Sequence, residues 1–82
     1  MKILFVCEGN INRSQMAETM LRKMRPDISV RSAGTLVRPD REGQKVDTET
    51  AEGIEAMRAI GFDMSGAVQH QLTPQMMDWP TR

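Results

Sequence analysis

The stretch Ile3-Leu4-Phe5-Val6-Cys7-Glu8-Gly9-Asn10-Ile11-Asn12-Arg13-Ser14 decides the fold of this 82-residue chain. It begins with four consecutive apolar residues, continues through a short polar segment and ends where a helical pattern starts. Four apolar residues in succession leave no face for solvent, which is typical of a strand in a parallel sheet covered on both sides. The sequence therefore predicts a fully buried strand at residues 2–6, a loop at 8–12 and a helix from about Arg13.

A helix and a second strand are predicted directly after this loop. The helix spans residues 13–24, and its apolar residues fall on one stripe: Met16, Met20, Leu21 and Met24. Pro26 ends it, because proline disfavours the α conformation of the preceding residue. Residues 28–32 alternate in polarity and predict the second strand. Together these elements form a βαβ unit, so we expect an α/β fold with a parallel sheet.

The sequence after residue 32 predicts loops and helices but no further strand. Residues 36–46 contain a proline, a glycine and several charges, and are predicted to form an exposed loop. Asp47 is a good N-cap for a helix at 48–60, which Gly61 would end. Residues 62–66 are predicted to turn, and Thr73-Pro74 is a favourable start for a short helix. Because stable sheets usually need three or more strands, residues 1–82 read as a single, apparently incomplete domain.

Composition excludes several classes of protein. Eleven basic and eleven acidic residues cancel, whereas nucleic-acid binders and proteins that bind anionic membranes usually carry a basic excess. No apolar run approaches the roughly 18 residues of a membrane-spanning helix. The single cysteine excludes an internal disulfide and any cysteine-rich metal site. We therefore expect a cytoplasmic protein with no metal, no cofactor, and neither nucleic acid nor membrane as a partner.

The spacing of Cys7, Arg13 and Ser14 predicts an oxyanion site with a reactive thiolate. A helix N-terminus presents unpaired N–H groups, and the loop can turn further N–H groups inward. Arg13 adds a planar fork that matches two oxygens of a phosphate. In such an electropositive setting the pKa of a thiol falls, and Ser14 could hydrogen-bond the sulfur. The predicted phosphate-binding residues are Glu8, Gly9, Asn10, Ile11, Asn12 and Arg13.

Another interpretation makes Cys7 a small buried hydrophobic residue and Arg13 a surface residue of the helix. The agreement of strand, loop length, arginine, serine and helix on one geometry favours the oxyanion site. The glycine-rich patterns of dinucleotide- and nucleotide-binding loops are both absent.

The segment from Cys7 to Glu18 closely resembles the signature of the low-molecular-weight protein tyrosine phosphatases and of the related thioredoxin-coupled arsenate reductases. The resemblance continues through residues 31–35, 60–66 and 71–73. It implies a doubly wound parallel sheet, of which this chain would hold a truncated part. It also implies that Cys7 is the nucleophile that forms a phosphocysteine, that Arg13 binds the phosphoryl group and that Ser14 stabilises the thiolate. Asn10 and Ser32 match positions that support the loop.

The chain departs from the family pattern at several positions. Asn12 stands where the family commonly has a second cysteine, which removes a redox protection. Ala67 stands where a histidine often braces the loop, and His70 is read as a solvated side chain. The family's general acid lies in an Asp-Pro pair, and this chain has none. Asp78 is followed by Trp79 rather than by proline, so it is not assigned the role of general acid.

Three functions therefore stay open from the sequence. The first is weak hydrolysis of phosphotyrosine or a similar aryl phosphate monoester, with a phosphotyrosine protein as a candidate partner and the physiological substrate left open. The second is arsenate reduction by Cys7 with an external thiol, and the third is oxyanion binding without catalysis. Phosphate or another oxyanion is the expected ligand, and an unpaired sheet edge predicts self-association.

Overall fold

The parallel βαβ unit forms as the sequence predicts. The computed structural model of the protein describes residues 1–46 and 52–81. The regular elements are β1 (Lys2–Cys7), α1 (Arg13–Met24), β2 (Ser29–Gly34), α2 (Glu52–Ala59) and α3 (Pro74–Asp78), with short 3-10 helices at Pro39–Arg41 and Trp79–Thr81. β1 pairs with β2 in parallel, from Lys2 opposite Ser29 to Cys7 opposite Gly34. The predicted α/β fold with parallel strands is confirmed.

Helix α1 has the predicted bounds and covers the sheet and the loop. Met16 and Met20, from its apolar stripe, pack against the core. Its last turn carries Arg22 and Lys23, where cations complement the helix dipole. Lys23 also donates a 2.9 Å hydrogen bond to the carbonyl oxygen of Gly61, which ties the end of α1 to the segment after α2.

The core lies between α1, α2 and the segment that follows α2. It is built around four buried side chains, which are Val46, Ile54, Met57 and Met64. Ile54 and Met57 lie one turn apart on α2. The helix ends at Ala59, one residue before the predicted end, and Ile60 is 61% exposed. Gly61 adopts the positive φ of +90° that follows a helix C-terminus. The predicted N-cap Asp47 and helical residues 48–51 lie outside the described residues.

Two burial predictions from the sequence are wrong. Strand β1 is only partly buried, and Val6 is 46% exposed. Within residues 1–46 and 52–81, β1 pairs along one edge only, so this part of the chain does not enclose its apolar side chains. The segment 36–46 is not exposed throughout, because Val37 and Val46 are buried. Lys45 forms an isolated antiparallel bridge with Val68, which attaches this segment to the residues before α3.

The C-terminal residues return to the sheet. Thr73 caps α3 by accepting a 3.2 Å hydrogen bond from the Met76 amide, and Pro74 occupies the first helical position, both as predicted. The ring of Trp79 lies 4.3 Å from the Arg31 guanidinium carbon, a cation–π contact with β2. None of the described helices is long and apolar enough to cross a membrane.

Candidate active site

Cys7 is the last residue of β1, and groups from the following loop and helix converge on its sulfur. The Ser14 Oγ atom lies 3.0 Å from Cys7 Sγ, within the hydrogen-bonding distance that the sequence predicts. The backbone N–H of Asn10 donates to the same sulfur at 3.2 Å. The loop therefore wraps around the thiol rather than extending away from it.

The surroundings of Cys7 favour the thiolate. Partial burial raises the pKa of its thiol, since burial disfavours a charge. This effect is outweighed by the hydrogen bonds from the Ser14 side chain and backbone and from the Asn10 amide, and by the positive charge of Arg13. The pKa of Cys7 consequently lies below the ordinary value of 9.0. A lowered pKa increases the fraction of thiolate at neutral pH, and the thiolate is the form that acts as a nucleophile.

Asn10 is hydrogen-bonded to helix α1, to strand β2 and to the segment before α3. It is fully buried and has a positive φ of 53°, a conformation that asparagine tolerates better than most residues. Its Nδ2 donates to Ser14 Oγ at 2.8 Å and to Ser32 Oγ at 3.0 Å, and its Oδ1 accepts the His70 amide at 2.8 Å. Gly9, the residue before it, does not have a positive φ.

Four successive carbonyl groups, those of residues 7–10, accept hydrogen bonds from residues outside the loop, which are called the scaffold donors below. The pairs are Cys7 with the Thr35 amide at 2.8 Å, Glu8 with the Leu36 amide at 2.9 Å, Gly9 with Gln69 Nε2 at 3.1 Å, and Asn10 with Gln15 Nε2 at 3.2 Å. The C=O and N–H of a trans peptide group point in opposite directions. The N–H groups that belong to these peptide units therefore point away from the scaffold donors. Successive N–H groups turned to one side form an anion-binding nest.

The loop residues at which the sequence predicts phosphate binding carry backbone N–H groups, and Arg13 carries a guanidinium. Within residues 1–46 and 52–81, no group accepts a hydrogen bond from the backbone N–H of Gly9, Ile11 or Asn12. Arg13 is exposed at the first position of α1, where its charge lowers the pKa of Cys7. A helix N-terminus and a nest of amides favour a dianionic oxyanion above the sulfur.

The end of β2 approaches the loop so closely that only glycine fits there. A Cβ atom on Gly34 would lie 2.6 Å from the Glu8 carbonyl oxygen and 3.0 Å from the Asn10 amide nitrogen. Both neighbours are backbone atoms, which cannot move without reshaping the loop. Ser32, two residues earlier on the same strand, hydrogen-bonds Asn10. Ser32, which is predicted to support the loop, therefore contacts it directly. Gly34 is needed there because any side chain would collide with the loop backbone.

Asn12 connects the loop to α2. Its Oδ1 accepts a 2.8 Å hydrogen bond from the backbone N–H of Gly53, at the start of that helix. A Cβ atom on Gly53 would meet this oxygen at 2.8 Å and the sulfur of Met16 at 3.1 Å. The residue that replaces the family's second cysteine therefore has a structural contact, which the sequence did not reveal.

Two buried glutamines, Gln15 and Gln69, contact the loop, although no sequence pattern predicts a role for either. Gln15 is 2% exposed, and its Nε2 lies 3.1 Å from Asn10 Oδ1 and 2.7 Å from the Val68 carbonyl oxygen. Gln69 is 3% exposed and accepts a 3.0 Å hydrogen bond from Arg41 Nε, besides holding Gly9. A buried glutamine must find partners for its amide, but the sequence does not indicate which groups those are.

His70 and Asp78 take no part in the contacts around the sulfur. The His70 side chain is 44% exposed, with its Nδ1 3.5 Å from a carboxylate oxygen of Glu42, so it is partly solvated as predicted but also paired. Asp78 is exposed at the end of α3. Within the described ranges, no group of three or more His, Cys, Asp and Glu side chains is arranged to hold a metal ion.

A small cavity of about 280 Å³ opens beside the loop. Its lining is Gly9, Ile11, Leu36, Val37, Arg38, Arg41 and Gln69. Ile11 and Leu36 give it an apolar wall, and Leu36 is 71% exposed, so the wall is open to solvent.

Comparison with known proteins agrees with this geometry. Residues 2–80 match the family described as low molecular weight phosphotyrosine protein phosphatase. A probable low molecular weight protein-tyrosine-phosphatase, EpsP, from Ralstonia solanacearum is 38% identical over 76 residues, which is 93% of this chain and 48% of that protein. The chain spans about half the length of the curated relatives it matches.

Solved structures show the same fold with several chemistries. Vibrio vulnificus Wzb in complex with benzylphosphonate superposes with a TM-score of 0.81 at 32% identity, covering 95% of this chain and 52% of Wzb. The YwlE arginine phosphatase from Geobacillus stearothermophilus superposes with a TM-score of 0.76 at 32% sequence identity. The match covers 95% of this chain and 47% of YwlE. A thioredoxin-dependent arsenate reductase from Corynebacterium glutamicum superposes with a TM-score of 0.72 at 27% sequence identity. The match covers 93% of this chain and 35% of the reductase.

The family match, the thiolate loop and the βαβ unit that carries it lead to one conclusion. From Lys2 to Pro80, this chain belongs to the low molecular weight phosphotyrosine protein phosphatase family.

Proposed function

We propose that this protein hydrolyses aryl phosphate monoesters, with phosphotyrosine in a protein as the natural class of substrate, through a phosphocysteine at Cys7. The observation that carries the proposal is the convergence of the Ser14 hydroxyl and the Asn10 amide on the Cys7 sulfur. These donors favour the thiolate, and only the thiolate is an effective nucleophile.

In the first step the thiolate attacks phosphorus, a P–S bond forms, and the bond from phosphorus to the aryl oxygen breaks. The loop N–H groups and Arg13 would stabilise the charge on the three phosphoryl oxygens. In the second step water attacks phosphorus, the P–S bond breaks and the thiolate returns, with the phosphate released. Ser14 assists this step by donating a hydrogen bond to the departing sulfur, which leaves as the thiolate.

The leaving group is the weak point of catalysis by this chain alone. An aryl oxide departs more easily when an acid protonates it, and the chain contains no Asp-Pro pair. Loss of general acid catalysis typically costs 10²- to 10⁴-fold in rate. A nitrophenolate leaving group needs little protonation, so nitrophenyl phosphate is the preferred test substrate.

The cavity beside the loop favours an aromatic substrate over phosphoarginine. Ile11 and Leu36 offer apolar surface to a ring. The described lining contains two arginines and no acidic side chain, so a guanidinium leaving group would meet like charge there. Arsenate reduction remains the second candidate, because an arsenate reductase shares the fold. With Cys7 as the chain's single cysteine, that reaction would require an external thiol.

The decisive experiment is turnover of p-nitrophenyl phosphate by the parent protein and by Cys7→Ser. We expect slow release of phosphate that the substitution abolishes, and a much lower rate with phenyl phosphate, whose leaving group is more basic. Equal rates for parent and variant would refute the proposal. Arsenite formation that depends on added glutathione, without phosphate release from either ester, would instead favour the reductase.

Binding of inorganic phosphate without turnover of any ester would assign the chain to oxyanion binding alone. A location in the cytoplasm fits the chemistry, because a lone catalytic thiol must stay reduced.

A further inference from the structure

We infer that Gln69 and Gln15 are positioning residues that orient two successive peptide groups of the phosphate loop, one toward the Cys7 sulfur and the next toward the oxyanion. This inference rests on the proposed function, since it deepens the account of the same site. Neither glutamine touches the sulfur within the described contacts. Both act through the loop backbone.

Gln69 controls the peptide group between Gly9 and Asn10. Its Nε2 holds the Gly9 carbonyl oxygen at 3.1 Å, and the N–H of the same peptide group, which belongs to Asn10, donates to Cys7 Sγ at 3.2 Å. Because a trans peptide is planar, fixing the carbonyl on one side fixes the N–H on the other. The side-chain amide of Gln69 therefore aims the hydrogen bond that reaches the sulfur.

Gln69 is itself held on three sides. Its Oε1 accepts from Arg41 Nε at 3.0 Å, its backbone N–H donates to the Gln44 carbonyl at 2.9 Å, and its carbonyl accepts from the Gly43 amide at 2.8 Å. The Arg41 contact also settles the orientation of the side-chain amide, because guanidinium is only a donor and must face the oxygen. The NH₂ group is thus directed at Gly9.

Gln15 controls the next peptide group, between Asn10 and Ile11. Its Nε2 lies 3.2 Å from the Asn10 carbonyl oxygen and 2.7 Å from the Val68 carbonyl oxygen. With the Asn10 carbonyl held on the scaffold side, the Ile11 N–H points to the opposite side, where the nest of loop amides lies. The two glutamines therefore act on different properties. Gln69 affects the ionisation of the Cys7 thiol, and Gln15 affects the affinity of the loop for an oxyanion.

The test uses the single cysteine as its reporter. Alkylation of Cys7 by iodoacetamide, followed by mass spectrometry across a pH series, gives the midpoint of thiol ionisation without any need for turnover. Gln69→Met should move that midpoint upward and slow alkylation at neutral pH by roughly threefold to tenfold, the size of one hydrogen bond. Gln69→Glu should do the same while keeping the Arg41 contact, because a carboxylate cannot donate to Gly9.

Gln71→Met is the matched control. Gln71 also uses its side chain on the backbone, accepting from Val37 at 2.7 Å and donating to Thr35 at 3.0 Å, but it makes no described contact with residues 8–13. The control should keep the parent midpoint. Gln15→Met should keep a midpoint near that of the parent and weaken protection of Cys7 by inorganic phosphate roughly threefold to tenfold.

An unchanged midpoint in folded Gln69→Met, judged by circular dichroism, would overturn the inference for Gln69, and unchanged phosphate protection in Gln15→Met would overturn it for Gln15. If a variant does not fold, NMR of the parent protein decides. The side-chain NH₂ groups of Gln69 and Gln15 should exchange with solvent far more slowly than that of an exposed glutamine, and the Asn10 amide shift should titrate with Cys7. Rapid exchange would refute the inference. A confirmed shift in midpoint without ester hydrolysis would keep this inference while refuting the proposed function.

Discussion

The Ser14 hydroxyl oxygen lies 3.0 Å from the Cys7 sulfur, and the Asn10 side chain determines which way its hydrogen points. Asn10 Nδ2 donates to that oxygen at 2.8 Å, so the hydroxyl accepts from Asn10 and has its own hydrogen free for the sulfur. A buried amide, a hydroxyl and a thiolate therefore form one directed chain of donors. Such chains strengthen each member by polarisation.

Replacement of Ser14 should make the thiol less acidic. In Ser14→Ala the pKa of Cys7 should rise, because the side-chain hydrogen bond that lowers it is lost while the effect of burial remains. Iodoacetamide should then alkylate Cys7 more slowly at neutral pH, by roughly tenfold for a bond to a charged group. Ser29→Ala, at an exposed position at the start of β2, is the control and should alkylate at the parent rate. Identical rates for all three proteins would contradict the assigned role of Ser14.

The lowered pKa of Cys7 predicts a pH-dependent contribution to stability. A thiol whose pKa is lower in the folded state than the 9.0 of the unfolded chain stabilises the fold fully above pH 9.0, and loses that contribution as pH falls through the folded pKa. The free energy of unfolding of the parent, minus that of Cys7→Ala, should therefore increase with pH across this window. Urea denaturation at a series of pH values measures the difference. A difference that stays constant or decreases with pH would exclude a stabilised thiolate.

Substitution of Gly34 should damage the loop and the fold together. In Gly34→Ala the new Cβ would lie 2.6 Å from the Glu8 carbonyl oxygen, and overpacking of this kind costs about 1–3 kcal/mol. We expect a lower midpoint of urea unfolding and weaker protection of Cys7 by phosphate. Gly66→Ala is the matched control, since no atom lies within 4 Å of a Cβ there. If both variants lose the same stability, the close approach of β2 to the loop is not what requires glycine.

Two substitutions of Asn10 separate its hydrogen bonds from its backbone conformation. Asn10→Ala loses the bonds to Ser14, Ser32 and His70 and keeps a side chain at φ 53°, so it should lower the free energy of unfolding by roughly 3 kcal/mol. Asn10→Gly loses the same bonds without the strain. It should therefore be more stable than Asn10→Ala by about 1 kcal/mol. Denaturation of both variants tests this order, and the reverse order would show that backbone strain at this position is unimportant.

The exposed edge of β1 predicts self-association of this chain at high concentration. Val6 is 46% exposed, and β1 pairs only with β2 in the part of the chain that the structure describes. An apolar strand with an open edge is a template for pairing, and a charge on it opposes that pairing. Sedimentation velocity should show a mass that rises with concentration in the parent and less so in Val6→Lys. A constant monomer mass for the parent protein would refute this expectation.

Sequence reasoning succeeded where the signal is local. The bounds of α1, the cap at Thr73 and the contact of Ser14 with Cys7 all depend on residues within a few positions of one another, where spacing alone decides which side chains meet. The family pattern extended this to Ser32, which lies on the next strand. For all of these the sequence carries a direct pattern.

The features that the sequence does not predict depend on contacts between segments that are far apart in the chain. Nothing near Gln69 indicates that its amide reaches Gly9, sixty positions earlier, because any partly apolar segment can bury a glutamine. Asn12 reads as a loop residue, although its oxygen holds the start of α2. Strand β1 was predicted to be covered because its apolar run is typical of a covered sheet, and the pattern says nothing about which segment covers it.

The wide spacing of the contacts to Asn10 has a consequence for how the protein folds. Asn10 is bonded by groups 22 and 60 positions away, and Gly9 by one 60 positions away. Such long loops must close before these bonds can form, so we expect them late in folding. A newly made or partly folded chain would therefore carry an ordinary, weakly reactive thiol at Cys7. The reactive thiolate would appear only when the segment from Val68 to Gln71 has docked, so that the chain becomes chemically active only after it has passed through its most exposed stages.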